Sequence, residues 1–127
     1  MSDLVAALDP ERVQVDDVAR RLYSRDASVL RGGRAGVICF PVTTAEVSAC
    51  VVAAVAHGRD FVVRGAGTGL AGGAVPCDEP VMIVLTRMDR ILEVDESRRL
   101  AWVEPGVVNL DLSRHLAGTG LHFAPDP

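Results

Sequence analysis

The sequence Phe61-Val62-Val63-Arg64-Gly65-Ala66-Gly67-Thr68-Gly69-Leu70-Ala71-Gly72-Gly73 determines how the rest of this chain is interpreted. Its first three residues are apolar and predict a strand, and the loop that follows, 64–73, contains five glycines. Glycine loses more conformational entropy on folding than any other residue, so this density indicates positive φ angles or close approach of a ligand to the backbone. We interpret the segment as a phosphate-binding loop, to which Arg64 adds charge and Thr68 a hydroxyl group. The alternative is a flexible surface loop, although a linker would carry more Ser and Pro between its glycines.

Two common kinds of phosphate loop can be compared with these residues. A nucleoside-triphosphate P-loop requires Gly-Lys-Ser/Thr, but all 13 basic residues of this chain are arginine. Residues 67–72 do match the G-x-G-x-x-G pattern of a dinucleotide-binding βαβ unit, in which a helix follows the loop directly. Pro76 and Pro80 come soon after the pattern and exclude that helix. The loop must therefore hold a phosphate by backbone and side-chain hydrogen bonds.

The sequence before the loop predicts a parallel β-α-β unit. Thr43 and Glu46 have the spacing of a capping box, and apolar residues then recur at helical intervals up to Gly58. This helix lies between apolar strands at 37–40 and 61–63. Its predicted apolar face consists of Val47, Cys50, Val51, Ala54 and Val55.

The sequence after the loop predicts an antiparallel part. Strands are expected at 81–86, 91–95 and 100–104, with residues 95–97 as the turn that joins the last two. Two more helices are predicted, one capped by Asp16 and running through Leu22, the other capped by Asn109 and running up to Gly118. The predicted class is α+β with a small mixed sheet.

Several segments around the loop carry a family resemblance. They are residues 23–28, 37–41, 44–47, 64–73, 88–95, 103–107 and 123–127, in this order. In these segments the chain resembles the flavoproteins of the vanillyl-alcohol oxidase type, which have a PCMH-type FAD-binding domain. Within that family it is similar to the glycolate oxidase large-subunit and D-lactate dehydrogenase group.

The resemblance implies an FAD site but assigns no catalytic residue. The loop would wrap the FAD pyrophosphate with Arg64, Gly65, Ala66, Gly67, Thr68, Gly69, Gly72 and Gly73. Pro105 and Gly106 would form a second backbone contact beside the flavin, and Pro125, Asp126 and Pro127 look like the start of a third. Many relatives tether FAD covalently through a histidine at the position of Thr68, so non-covalent FAD is expected here.

The resemblance also implies an activity for the complete enzyme. The family enzymes are several times longer than these 127 residues, so we expect an N-terminal part with a helical lead-in at 1–35 and an incomplete FAD-binding domain at 36–127. The complete enzyme would be an FAD-dependent oxidoreductase acting on CH–OH groups, such as those of glycolate or D-lactate, and would pass electrons to an acceptor protein or quinone. The part alone is expected to be inactive. Two alternatives stay open: an FAD domain acting on an alcohol, an alkyl-ether lipid or a sugar lactone, and a degenerate non-catalytic nucleotide-binding module.

Composition limits the partners and the location. A net charge of -4 and a pI near 5.3 argue against nucleic-acid binding. The sequence has no apolar run long enough for a membrane span, and residues 1–3 lack the basic start of a signal peptide, so a cytoplasmic protein is expected. Cys39 and Cys50 are expected in the core and Cys77 at the surface. No metal is expected, since the three histidines share no ligand spacing.

Overall fold

The fold is described by a computed structural model, which covers residue 6 and residues 8–124. In chain order its elements are a 3-10 turn at Pro10–Arg12, β1 at Val13–Gln14, α1 at Asp17–Leu22, β2 at Val37–Cys39, α2 at Thr44–Ala56, β3 at Phe61–Arg64, β4 at Val81–Val84, β5 at Ile91–Asp95, β6 at Leu100–Val103 and α3 at Asn109–His115. The predicted α+β class with a small mixed sheet is confirmed.

The main sheet has four strands in the order β1-β2-β4-β3. Strands β2, β4 and β3 are parallel, and β1 runs antiparallel to β2. The prediction that the strand at 81–86 belongs to the antiparallel part was wrong, because this strand pairs in parallel with both strands of the β-α-β unit, and these contacts are distant in sequence. The predicted β-α-β unit is therefore present, with β4 inserted between its two strands. All four residues of β4 are buried, because this strand has neighbours on both edges and covered faces on both sides.

Each face of the sheet has its own apolar cluster, because side chains alternate along a strand. On one face Cys50 and Ala54 of α2 pack against Val37, Cys39 and Ile83. The predicted core positions of both cysteines are confirmed. The opposite cluster contains Ala19, Ala35, Ile38, Phe40, Met82 and Val84, with Tyr23 and Val62 packed against it.

Helix α2 covers β2 and β4 but leaves part of β3 uncovered. Val47 and Val51 pack on the core as predicted. Val55 was predicted on the same apolar face, yet it is exposed, as are Phe61 and Val63 of β3. These three side chains lie beyond the area where α2 contacts the two inner strands. The helical pattern of apolar residues therefore predicts a wider buried face for α2 than the structure has.

The start of α2 is fixed by an ion pair to the N-terminal segment. The Thr43 hydroxyl accepts from the Glu46 N–H at 3.2 Å, which confirms the predicted cap. The Glu46 carboxylate accepts from the Val42 N–H at 2.7 Å and from both terminal nitrogens of Arg12, at 2.6 and 2.8 Å. The pair ties the residues before β1 to the first turn of α2. The domain boundary at residue 35 stays a prediction.

The two shorter helices differ in how well their ends were predicted. Asp16 caps α1, accepting from the Ala19 N–H at 2.9 Å, and the helix ends at Leu22 as expected. For α3 the prediction was wrong by one residue at the start. Val108 has extended backbone angles and occupies the cap position, so Asn109 is already helical. The helix ends at His115, and turns continue the chain to Gly118, whose φ is +93°.

Strands β5 and β6 form a separate antiparallel hairpin, as predicted. Asp95 closes its turn by accepting from the Ser97 hydroxyl at 2.7 Å and from the Arg98 N–H at 2.9 Å. Arg99 has a positive φ of 56° at the end of the turn. Trp102 remains 47% exposed on β6. The hairpin is therefore built by its turn and its backbone pairing more than by side-chain burial.

Replacing Glu46 with alanine is expected to lower the thermal midpoint by roughly 5 °C or more, because Arg12 and the Val42 N–H would lose their partly buried acceptor.

The hydrogen bonds from Arg12 hold the pKa of Glu46 below its ordinary value of 4.5. A carboxyl with a depressed pKa stabilises the fold above its unfolded-state pKa, and this contribution is lost as the pH falls through its folded-state value. Thermal melts between about pH 6 and about pH 3 should therefore show a smaller acid loss in Glu46→Gln than in the wild type. Glu93→Gln, at an exposed position, is the control. Equal acid losses in wild type and Glu46→Gln would contradict this account.

Candidate functional site

The predicted phosphate loop leaves the sheet at the carboxyl end of β3. The Leu85 N–H donates to the Arg64 carbonyl at 2.9 Å, so the turn after β4 lies beside the start of the loop. The Gly106 N–H donates to the Met88 carbonyl at 2.8 Å and brings the second predicted contact to the same turn. The structure thus places residues 64–73 and 105–106 at one edge of the sheet. In open α/β sheets, ligands bind at the carboxyl ends of parallel strands. Residues 125–127, the third predicted contact, lie outside the described residues.

The five glycines of the loop fall into two groups. Gly67 and Gly72 have left-handed φ angles of +78° and +79°. A Cβ on Gly67 would lie 1.8 Å from Arg64 Nη2, and one on Gly72 would lie 2.3 Å from Leu30 Cδ1. Both positions are therefore glycine because of the chain's own backbone and packing.

The other three glycines have no such internal reason. Among the described residues, beyond its chain neighbours, an added Cβ on Gly65, Gly69 or Gly73 meets no heavy atom within 4 Å, and none of these three glycines has a left-handed φ. Ala66 and Thr68 between them are exposed. The loop therefore presents bare backbone on its outer side, which is the arrangement that lets main-chain N–H groups approach an anion.

Arg64 lies on the inner side of the loop. Its side chain shares a sheet face with Val84 and is only 8% exposed. Nη1 donates to the Arg25 carbonyl at 2.9 Å, and the guanidinium carbon lies 5.0 Å from the ring centroid of Tyr23. Burial holds the pKa of Arg64 below its ordinary value. A direct contact between Arg64 and a phosphate stays a prediction.

An aromatic pair supports this arginine from below. Tyr23 and Phe40 meet edge to face with ring centroids 5.7 Å apart. Arg87, in the turn after β4, lies 5.6 Å from the Phe40 ring. Two guanidinium groups thus flank one aromatic pair at the carboxyl edge. Tyr23 and Phe40 lie in the segments that carry the family resemblance, but no role could be predicted for them, since nothing local to either residue indicates which ring faces an arginine.

Asp26 provides a negative charge near the same arginine. Its Oδ1 accepts from the Ser28 N–H at 2.9 Å, and hydrogen bonds from the Ser28 hydroxyl and N–H lower the Asp26 pKa. Its Oδ2 and the Nε of Arg64 are both buried and have no hydrogen-bond partner within residues 8–124. Both groups belong to the inner support of the loop.

Residues 76–80, the return arm that leads from the loop to β4, are held by the glycine-containing segment 32–36, for which the sequence predicted no role. The Gly33 N–H donates to the Pro76 carbonyl at 2.8 Å, and the Gly36 N–H donates to the Pro80 carbonyl at 2.9 Å. A Cβ on Gly36 would lie 2.2 Å from the Glu79 carbonyl oxygen. The sequence signal for these contacts is the group of three glycines at 32–36, which by itself does not indicate what the segment packs against.

Gly106 also has an internal explanation. A Cβ there would lie 2.3 Å from the Leu85 carbonyl oxygen and 2.8 Å from that of Met88. Glu104, two residues earlier, is buried. Its carboxylate accepts from the backbone N–H of Arg90 at 2.9 Å and from the Arg90 Nη2 at 2.6 Å. These hydrogen bonds anchor the turn to the start of the hairpin. A flavin contact at Pro105 and Gly106 remains a prediction.

Two cavities lie away from the glycine loop. The larger, about 500 Å³, separates the hairpin from α3, and its described lining includes Leu100, Val103, Leu112, Leu116 and Phe123. None of the described residues that line it belongs to 64–73 or 105–106. A second cavity of about 400 Å³ adjoins the exposed Cys77, whose surface position was predicted.

The described residues contain neither a metal-ligand cluster nor a membrane-spanning helix. Within residues 8–124 no group of three His, Cys, Asp or Glu side chains is placed to hold a metal ion. In that range no helix combines the length and the apolar character that crossing a bilayer requires.

With this geometry established, comparison with known proteins defines the class. The sequence profile described as FAD binding domain matches residues 35–127, and the chain belongs to this family. It is 33% identical over 124 residues to glycolate oxidase subunit GlcD of Bacillus subtilis, covering 98% of this chain and 26% of that protein. It is 34% identical over 119 residues to D-lactate dehydrogenase of Anaerostipes hadrus, covering 93% of this chain and 25% of that protein. The resemblance to flavoprotein oxidoreductases is confirmed, and the chain spans about a quarter of the length of these relatives.

Solved structures give the same architecture. An alkyldihydroxyacetonephosphate synthase superposes with a TM-score of 0.85 at 22% identity, over 99% of this chain and 26% of that one. The 4-ethylphenol oxidase of Gulosibacter chungangensis superposes with a TM-score of 0.80 at 28% identity, over 94% of this chain and 24% of that one. The first likeness is one of fold alone.

The two groups of loop glycines should differ in stability measurements. Gly67→Ala is expected to lower the free energy of unfolding by roughly 1–2 kcal/mol, because the residue keeps a left-handed φ. The new methyl group would also displace the guanidinium of Arg64. Gly69→Ala is expected to change the free energy by less than about 0.5 kcal/mol. Urea denaturation of both variants is the measurement, and equal losses would contradict the division.

Proposed function

We propose that this chain binds FAD through the glycine loop, with the pyrophosphate on the outer side of residues 65–73. The observation that supports the proposal is the open backbone at Gly65, Gly69 and Gly73, where the described chain itself gives no reason for glycine. Membership of the FAD binding domain family supplies the ligand. The proposed loop contacts are Gly65, Ala66, Gly67, Thr68, Gly69, Gly72 and Gly73, and Arg64 belongs to the same site on its protein side.

The donor set fits a pyrophosphate. Residues 65–80 contain no helix, so no helix N-terminus can supply the donors and the main-chain N–H groups of the loop must do so. The exposed hydroxyl of Thr68 adds a side-chain donor. Pro105 and Gly106 are the second proposed contact, beside the flavin, since their turn lies at the same sheet edge.

We propose that the cofactor is held without a covalent bond. Thr68 occupies the position where many relatives attach FAD through a histidine, and a threonine hydroxyl offers no comparable nucleophilic nitrogen. Acid precipitation of the loaded protein should therefore release all of the flavin into the supernatant. Flavin that stays in the washed pellet would overturn this part of the proposal.

For the full-length protein we propose oxidation of a small 2-hydroxyacid. Its support is the 33% and 34% identity to proteins named glycolate oxidase subunit GlcD and D-lactate dehydrogenase. Bound FAD would accept the hydride equivalent from the substrate carbon. The residues of this chain would hold the cofactor rigidly, and fixed orientation is what a protein adds to chemistry that belongs to a cofactor. Because the chain spans a quarter of those relatives, we assign FAD binding to this chain and turnover to a protein of their length.

Calorimetric titration of the purified chain tests the cofactor. FAD should bind with a dissociation constant in the micromolar range, and FMN, which lacks the adenylate joined through the pyrophosphate, should bind at least about tenfold more weakly. A folded chain that binds neither, or both equally, would overturn the proposal.

The site itself is tested by two matched glycine variants. Gly69→Ala places a methyl group on the open side of the loop and should weaken FAD binding by about tenfold or more. Gly33→Ala adds the same methyl group at an ordinary contact distance of 3.4 Å from the Asp78 nitrogen, and it should bind FAD like the wild type. Unchanged affinity in Gly69→Ala would move the pyrophosphate away from this loop.

A further inference from the structure

We propose that Arg64 is a positioning residue: its buried guanidinium sets the shape of the glycine loop from the protein side, together with Tyr23 and the Arg25 carbonyl, and does not touch FAD. The inference rests on the proposed function in one respect, that FAD is the ligand on the outer side of the loop. Nothing local to the sequence of the loop indicates it, since an arginine at a strand end beside glycines is equally suited to bind a phosphate directly.

The Arg64 side chain is held at both of its ends, at the backbone and at the guanidinium. Arg64 is the last residue of β3, and its backbone is held by pairing with β4 and by the Leu85 N–H. The far end of the side chain donates from Nη1 to the Arg25 carbonyl at 2.9 Å. A side chain anchored at the strand and at a carbonyl 39 residues away joins two segments that are distant in sequence.

The guanidinium fills the space beneath Gly67. A Cβ on that residue would lie 1.8 Å from Nη2 and 2.7 Å from the guanidinium carbon, so Gly67 must lack a side chain for Arg64 to lie there. Nη2 also approaches the Ala66 carbonyl at 3.5 Å, which is a long and weak contact. By contrast, the spaces next to Gly65 and Gly69 are open. The loop backbone therefore has arginine on one side and an accessible surface on the other.

Burial separates the arginine from a ligand on that outer surface. Arg64 is 8% exposed, while Ala66, Thr68 and Gly69 are exposed. The Tyr23 ring lies against the guanidinium at 5.0 Å and is itself held edge to face by Phe40. Rings on the inner side keep a planar cation in place without neutralising it.

The Asp26 carboxylate offsets part of the Arg64 charge without forming a direct ion pair, and the remainder acts on the loop. Among the described residues Arg64 forms no ion pair within 4.0 Å, and its Nε and the Asp26 Oδ2 are both buried without a hydrogen-bond partner. A positive charge beneath a thin layer of backbone raises the potential at the outer N–H groups, and burial reduces its screening by water. Arg64 would thus favour an anion on the outer side through position and charge.

Backbone ¹⁵N relaxation without FAD tests the positioning role directly. Arg64→Lys keeps the charge but loses the planar fork that reaches Arg25, so the order parameters of the 65–69 amides should fall clearly below those of the wild type, to about 0.6 or less. The order parameters of the β4 amides should be unchanged. Lower order parameters in β4 as well would indicate a general loss of stability, and unchanged order parameters in the loop would overturn the proposal.

A pair of tyrosine variants separates positioning from direct contact. Tyr23→Leu removes the ring under the guanidinium and should weaken FAD binding about tenfold, although Tyr23 lies on the inner side. Tyr23→Phe keeps the ring and should bind FAD like the wild type. If Tyr23→Leu binds FAD normally while Arg64→Lys does not, Arg64 is a direct ligand and the proposal is wrong. If Arg64→Lys fails to fold, FAD binding by Tyr23→Leu at wild-type strength overturns the proposal without it.

The two proposals fail in different ways. Absence of FAD binding by the wild type would overturn the proposed function, whereas the relaxation experiment needs no cofactor and still reports on Arg64. Unchanged loop order parameters in Arg64→Lys together with FAD binding by the wild type would overturn the positioning role alone.

Discussion

The buried strand β4 is the constraint on which the candidate site depends. It pairs in parallel with β2 on one edge and with β3 on the other, and none of its four residues is exposed. Because it ends in register with β3, the Leu85 N–H can hold the Arg64 carbonyl, and the turn that follows can receive Gly106. Removing this strand from the centre of the sheet would separate the glycine loop from the 105–106 turn. The geometry of a surface site is in this sense set by an entirely apolar strand.

A glycine-rich loop needs support from outside its own sequence if it is to keep one shape. In this chain the support comes from three directions: Arg64 beneath Gly67, Leu30 against Gly72, and the 32–36 segment against the return arm. Each uses the absence of a Cβ to bring two segments close together. The loop can then leave other glycines bare on its outer face. For a protein with a net charge of -4, such local donors must supply the attraction for an anion, since the overall field does not.

Local elements were predicted well because their signals are local. The Thr43 cap, the Asp16 cap, the β5–β6 turn and the strands around α2 each follow from residues within a few positions of one another. The sequence could not show that β4 lies between β2 and β3, nor that the two-residue β1 adds to the sheet, because strand order depends on contacts between distant segments. Val55 shows a related limit, since helical periodicity identifies an apolar stripe but not how far the sheet beneath it extends.

The sequence indicated a candidate loop but not how that loop is built. The glycine count identified the loop, yet all five glycines looked alike in sequence, and only backbone angles and neighbouring atoms divide them into two groups. The inner position of Arg64 could not be predicted either, because its partners Tyr23 and Arg25 lie about forty residues earlier. Gly32 and Gly36 gave no signal of their role, since their partners at 75–79 are equally distant.

The central claim is that the outer backbone of residues 65–73 is the surface that receives the FAD pyrophosphate. Amide chemical-shift mapping of the isotope-labelled chain during titration with FAD tests it most directly. The account predicts that the largest shifts occur at Gly65, Thr68, Gly69 and Gly73, with small changes around the cavity between the hairpin and α3. Shifts concentrated at Leu100, Leu112 and Leu116, with the loop amides unmoved, would contradict it.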